Sequence, residues 1–185
     1  PEITLEHLLR MSSGLAIDER NDGTDPSSLM LWSSPDMAKF AGSRPQRHTP
    51  GEVFDYMSGS TNLAMRHLQN RLGDDLESQV QGIRARLFEP LGMASAIIEP
   101  DTIGTMVGSS YMWATARDWA KLGQLYLDDG VVDGRRLLDP SWIEAVGQRS
   151  ADSENYGMGF WLYRRSEALP NVLVMDGFQG QNVVV

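Results

Sequence analysis

The chain has 185 residues, 41% of them hydrophobic, and a formal net charge of −9, which suits one globular domain with a single core. Phosphate binding needs clustered cations, and no basic run occurs, so neither a nucleic acid nor an anionic membrane surface is an expected partner. The absence of cysteine excludes disulfides, thiolate metal sites and a cysteine nucleophile, and no apolar stretch reaches the ~20 residues of a membrane span. The sequence opens on Pro1 rather than Met and stops inside Asn182-Val-Val-Val185. Both ends are therefore expected to be internal to a longer chain. Compartment (cytoplasmic or exported) and oligomeric state stay open.

In chain order, Thr4 is expected to cap a helix carrying Leu5, Leu8 and Leu9 on one face and ended by Gly14. Residues 17–31 lack periodicity and hold turn formers, so they are expected to form a surface loop. Ser34-Pro35-Asp36 predicts the next helix start, with Ser34 as cap and Pro35 in the first turn. Thr49-Pro50-Gly51 is a turn, followed by a short extended piece over Glu52–Tyr56 and a helix from about Ser60. An amphipathic helix is expected over 76–89, ended by Pro90 and Gly92. Thr115 to Asp118 has capping-box form and opens a helix with Trp119, Leu122 and Leu125 on one face. Val131–Leu138 predicts a tight hairpin on Asp133-Gly134, and Asp139-Pro140 caps a last helix. Tyr156–Tyr163, Asn171–Met175 and Gln181–Val185 are strand-like. Helices first and strands last indicate one α+β domain, with a helical cluster and part of an antiparallel sheet, incomplete in this chain.

The three histidines, His7, His48 and His67, are scattered and none stands in a metal-ligand spacing. Neither a glycine-rich phosphate loop nor Gly-x-Ser-x-Gly occurs. No metal or cofactor is implied. The lysines are Lys39 and Lys121, and Asp stands three residues before each, at Asp36 and Asp118, so neither completes Ser-x-x-Lys.

Six segments, in order and spacing, resemble the serine β-lactamase and penicillin-binding-protein family, which also includes DD-peptidases, esterases and nylon-oligomer hydrolases. They are Ile3–Leu15, Pro50–Asn62, Phe88–Met93, Ser109–Lys121, Tyr156–Trp161 and Asp176–Gln181. The nearest flavour is the nylon-oligomer-hydrolase and carboxylesterase branch. The resemblance implies a β-lactamase/transpeptidase-like fold over 1–185, truncated at both ends. It also implies acyl transfer, which needs an activated hydroxyl, a base, and two N–H donors for the developing oxyanion. Tyr56-x-Ser58 matches the second motif of that family, Tyr-x-Asn or Tyr-x-Ser, which makes Tyr56 the proton-transfer residue and Ser58 a substrate-binding one. A phenol titrates near ~10, so it needs a neighbouring cation to relay protons at neutral pH.

Asp176–Gln181 falls where the third motif belongs, on the strand lining the site, with Gly180 allowing close approach and the Gln181 backbone N–H serving the oxyanion. Phe178 replaces the usual Lys or His there. Losing a cation that binds substrate carboxylates argues for less anionic amides or esters over β-lactams. Tyr111 is a candidate pocket residue. Trp113, Trp119, Phe160 and Trp161 are expected in the core. Asp18 and Glu19 form either a solvated acidic loop or a lure for a substrate amine. The expected function is part of a serine amidase or esterase that takes a small-molecule substrate, its nucleophile outside these residues. The alternative is a non-catalytic domain whose pocket binds a ligand or partner.

Overall fold

The computed structural model describes residues 2–163 and 172–185, which form two compact units. One comprises the chain up to Ile83 together with Ile97–Trp113, and the other Arg84–Ala96 with Ala114–Val185. The expected strand start at Asn171 lies outside the described residues.

The first unit holds helices α1 (Leu5–Leu9), α2 (Pro26–Ser33), α3 (Met37–Gly42), α4 (Ser58–Gln69) and α5 (Leu76–Ile83), with the short antiparallel pair β1 (Ile97–Ile98) and β2 (Met112–Trp113). Its core is Leu15, Ile17, Met30, Met37, Ala41, Met57 and Val107, flanked by Leu31, Phe40, Leu63 and Tyr111. Close helix approach depends on Gly59: a Cβ there would sit 2.4 Å from Ile17 Cδ1 and 3.0 Å from Ala41 Cβ. Asn62 is buried in this apolar setting and is satisfied. Its Oδ1 accepts the Ser109 N–H at 3.2 Å, and its Nδ2 lies 3.9 Å from both Met30 Sδ and Met37 Sδ.

Thr4 caps α1 in a capping box with His7, although Leu5 stays exposed while Leu8 is buried. The segment 17–31 is not wholly loop, because α2 occupies its second half. Asp25 caps that helix and Pro26 sits at its first position, a start signal that weak amphipathicity conceals. Ser34 does not cap α3. Asp36 does, accepting from Lys39 N–H at 2.9 Å, while Ser34 closes α2. The carboxylate reaches the third helical amide, so Pro35 falls before the cap. Helix α4 starts at Ser58, two residues earlier than expected, and residues 54–57 pair with no strand.

The second unit opens with a π-helical turn, Arg84–Phe88, which widens the end of the helix expected over 76–89. Next comes α6 (Ala116–Leu127), capped by Thr115. The hairpin of β3 (Val131–Val132) and β4 (Arg135–Arg136) turns on Asp133 and Gly134, both at positive φ (47° and 74°), the backbone a two-residue turn of this hand requires. Helix α7 (Pro140–Val146) is capped by Asp139 as expected.

Strands β5 (Trp161–Tyr163), β6 (Val172–Asp176) and β7 (Asn182–Val184) form an antiparallel sheet with Trp161 opposite Val174 and Val174 opposite Val184. Of the strand expected over 156–163, only its last three residues pair as a strand; Tyr156 bridges singly to Trp161. Gly123 lets α6 lie on β7, since a Cβ there would stand 2.9 Å from Val183 Cγ1. Phe160 is core, with its ring 4.7 Å from Tyr126. Trp113 is not core: it is 58% exposed and donates its indole N–H to Glu99 at 2.6 Å.

Candidate active site

In the first unit the segment Asp55–Ser58 is fixed at Asp55, Met57 and Ser58. The Asp55 N–H donates to Met11 O at 2.8 Å. Its carboxylate lies 3.6 Å from Arg47, which also holds Asp18 at 2.9 Å. Burial pushes the Asp55 carboxyl above its ordinary range, Asp18 adds to that rise, and Arg47 and His48 oppose it. Tyr56 follows with 37% of its surface exposed. Met57 is fully buried and is the N-cap residue of α4, but it has no side-chain oxygen with which to cap. Glu19 takes over that task. It accepts the Ser58 N–H at 2.5 Å through Oε2 and the Ser58 hydroxyl at 3.0 Å through Oε1. The Ser27 hydroxyl also donates to Glu19 Oε2, at 3.2 Å.

The loop that delivers Glu19 is ordered by Asp25, which is 1% exposed. Burial alone would raise this carboxyl. It is overcome by donation from Ser28 Oγ (2.5 Å), Ser28 N (3.2 Å), Asp22 N (3.1 Å) and Ser27 N (3.1 Å), which hold the group well below the usual carboxylate range. Residues 18–19 are therefore not a freely solvated acidic loop: both carboxylates are engaged, Asp18 by Arg47 and Glu19 by Ser58. Nothing in the sequence signals this pairing, and only the Asp25-Pro26 helix start marks the loop as structured.

Tyr111 belongs to the same unit. It packs against the core, donates its hydroxyl to Leu31 O at 3.3 Å and meets the Trp32 ring edge-on at 6.0 Å. Burial raises its phenol above the ordinary value, with Glu99 adding to the rise. Its φ of +62° is the left-handed region, a strained conformation for an aromatic residue. Trp32, 75% exposed beside it, carried no sequence signal beyond its residue type.

In the second unit, Asp176–Gln181 is not a strand. Asp176 ends β6, Asn182 begins β7, and 177–181 is the turn between them. Gly177 N–H donates to Gln181 O at 2.9 Å and Gly180 N–H to Gly177 O at 3.0 Å. Gln179 and Gly180 both take positive φ, 70° and 96°, which no extended strand contains. Phe178 is 67% exposed at the tip. Among the described residues the Gln181 N–H has no acceptor.

Lys121 is committed elsewhere, bonding Gly92 O and lying 2.7 Å from Asp118. Asp118 also accepts from the Ser95 hydroxyl at 2.7 Å and the Ser95 N–H at 2.9 Å. Hydrogen bonding from Lys121, then from Ser95, brings the Asp118 carboxyl down to about 2. No group of three or more potential metal ligands occurs among the described residues, and no helix among them is long and apolar enough to cross a membrane.

Solved structures share this fold. A Bacillus anthracis protein, provisionally described as a 6-aminohexanoate-dimer hydrolase, superposes with a TM-score of 0.82 at 20% identity, over 99% of this chain and 52% of that one. A penicillin-binding-protein homologue from Caulobacter crescentus gives 0.67 at 18% identity, over 99% and 62%. The D-amino acid amidase of Ochrobactrum anthropi SV3 gives 0.63 at 17%, over 97% and 62%. This chain thus spans 52–62% of the length of these three proteins. No curated protein matches the sequence. The β-lactamase family model matches residues 1–185. The chain belongs to the β-lactamase family, a family of hydrolases, and its α+β, β-lactamase/transpeptidase-like fold is the one expected.

Proposed function

We propose that the protein containing this chain is a serine hydrolase that opens amide or ester bonds through an acyl-enzyme, with these 185 residues part of one β-lactamase-like domain. The nucleophile and its lysine come from a Ser-x-x-Lys segment outside them. Tyr56 shares proton transfer with that pair, and the Gln181 N–H is one of two donors to the oxyanion. The observation that carries the reading is the Tyr56 segment: a phenol on the surface of a backbone fixed at 55, 57 and 58, immediately before a helix. A proton-transfer group must be held in place to act, because misplacement of about 1 Å costs ~100-fold in rate. Exposed Phe178, in place of a cation, favours substrates without a carboxylate at that position.

The test is Tyr56→Phe in the full-length protein. Turnover of amide or ester substrates should fall by about 10²–10⁴-fold, the range for loss of a general acid–base group. Turnover at the wild-type rate would remove Tyr56 from the mechanism. One observation favours the second reading, a non-catalytic binding domain: neither lysine follows a serine by three residues, and Lys121 is bound to Asp118. A fluorophosphonate probe separates the two. A covalent adduct on the full-length protein supports the hydrolase, and its absence supports the binding domain.

A further inference from the structure

We propose that Glu19 is a positioning residue that sets the polarity of Ser58, so that the second motif of this protein recognises an N–H donor and thereby favours amides over esters. The inference rests on the hydrolase reading and adds a specificity determinant to it. Its ground is a count of protons. A serine hydroxyl has one proton to give and two lone pairs with which to accept. Here the proton is directed to Glu19 Oε1 at 3.0 Å, while the neighbouring Ser58 N–H is taken by Glu19 Oε2 at 2.5 Å. A carboxylate has no proton to return, so Ser58 Oγ can offer only lone pairs to anything else that approaches it.

The rest of the site keeps this arrangement from relaxing. Glu19 is held by Ser27 Oγ at 3.2 Å on a loop that Asp25 orders from within. Ser58 starts α4 directly after a fully buried methionine and is itself only 8% exposed, so its backbone is fixed and the contact with Glu19 selects the rotamer of its hydroxyl. Two donors of one residue on two oxygens of one carboxylate is a bidentate contact, and it fixes direction as well as distance. The scissile nitrogen of an amide carries the N–H that such an acceptor selects; the corresponding oxygen of an ester carries none.

Glu19→Gln is the informative change, because it preserves shape while reversing one contact. Its amide oxygen can still accept the Ser58 N–H and cap α4, but its NH₂ must then face Ser58 Oγ as a donor, forcing the hydroxyl proton outward. With the full-length protein and a matched p-nitroanilide and p-nitrophenyl ester of one acyl group, Ser58→Ala and Glu19→Gln should each lower kcat/KM for the anilide by ~10-fold, the value of one hydrogen bond. The ester should lose several-fold less than the anilide in both, so that the anilide-to-ester ratio falls by ~5-fold or more. Equal losses on both substrates, or an anilide-to-ester ratio in Glu19→Gln that matches wild type, would overturn the proposal.

A second measurement does not need activity. Thermal unfolding of Glu19→Ala, Ser58→Ala and the double variant should be non-additive, since the two side chains act as one unit. Additive shifts would refute the clasp itself. If the wild-type protein turned over neither substrate, the hydrolase reading and the amide preference would fall together, and this cycle alone would still decide whether Glu19 holds Ser58.

Discussion

The two segments that the family motifs single out are built in opposite ways. Asp55–Ser58 is held by groups far away in sequence: Asp18 through Arg47, the Glu19 carboxylate directly, and the Met11 backbone carbonyl. Gly177–Gln181 is held by its own backbone, with two hydrogen bonds inside five residues and two successive residues at positive φ. One gains its shape from tertiary structure and the other carries it locally. The first should therefore respond to substitutions remote in sequence, and the second only to changes within the turn.

The largest expected effect tests the first half of that contrast. Gly59→Val should destabilise the protein by about 1–3 kcal/mol, the usual cost of overpacking, because its Cβ would meet Ile17 Cδ1 and Ala41 Cβ. Chemical denaturation measures it, and a change within ~0.5 kcal/mol would mean that α4 is not packed tightly enough to depend on distant residues. Gly177→Ala tests the second half. Its Cβ would lie 2.6 Å from Gln181 Cγ and 2.7 Å from Gln181 O, so the turn must open. The expected cost is ~1 kcal/mol, alongside a fall in turnover larger than that loss of folded protein explains. Turnover that falls only in proportion to folded protein would count against an oxyanion role for Gln181.

The smallest effect concerns Asp118, where the second unit does use a long-range tie. Its carboxyl, lowered from 3.8 to about 2 by Lys121 and Ser95, stabilises the fold fully above pH 3.8 and loses that contribution as pH falls towards 2. Asp118→Asn should therefore be less stable than wild type at neutral pH, with the gap closing between pH 3.8 and about 2 in acid denaturation. A gap of constant size across that window would remove the ion pair as its cause.

The same contrast explains what could be read from the sequence. The Asp133-Gly134 hairpin and the caps at Thr4, Thr115 and Asp139 were legible because each is decided within a few residues. The family and its α+β fold were legible because motif order survives divergence. The start of α4 was not: with Met57 as cap residue, the group that satisfies Ser58 N–H lies 39 positions upstream. Helix α2 was hidden because its buried residues Ser27, Ser28 and Met30 make no apolar stripe. The strand placement of 177–181 rests on the family resemblance alone, whereas Gln179 at positive φ is visible only in the backbone.

The bond between Glu19 and Ser58 also has a meaning in time. It closes a loop of 39 residues, for which the length-dependent entropy alone is about 3 kcal/mol, a large share of what two charge-assisted hydrogen bonds at ~1.5–3 kcal/mol each return. A contact of such long range is expected to form late in folding, so the geometry around Tyr56 should be acquired after the helices that flank it.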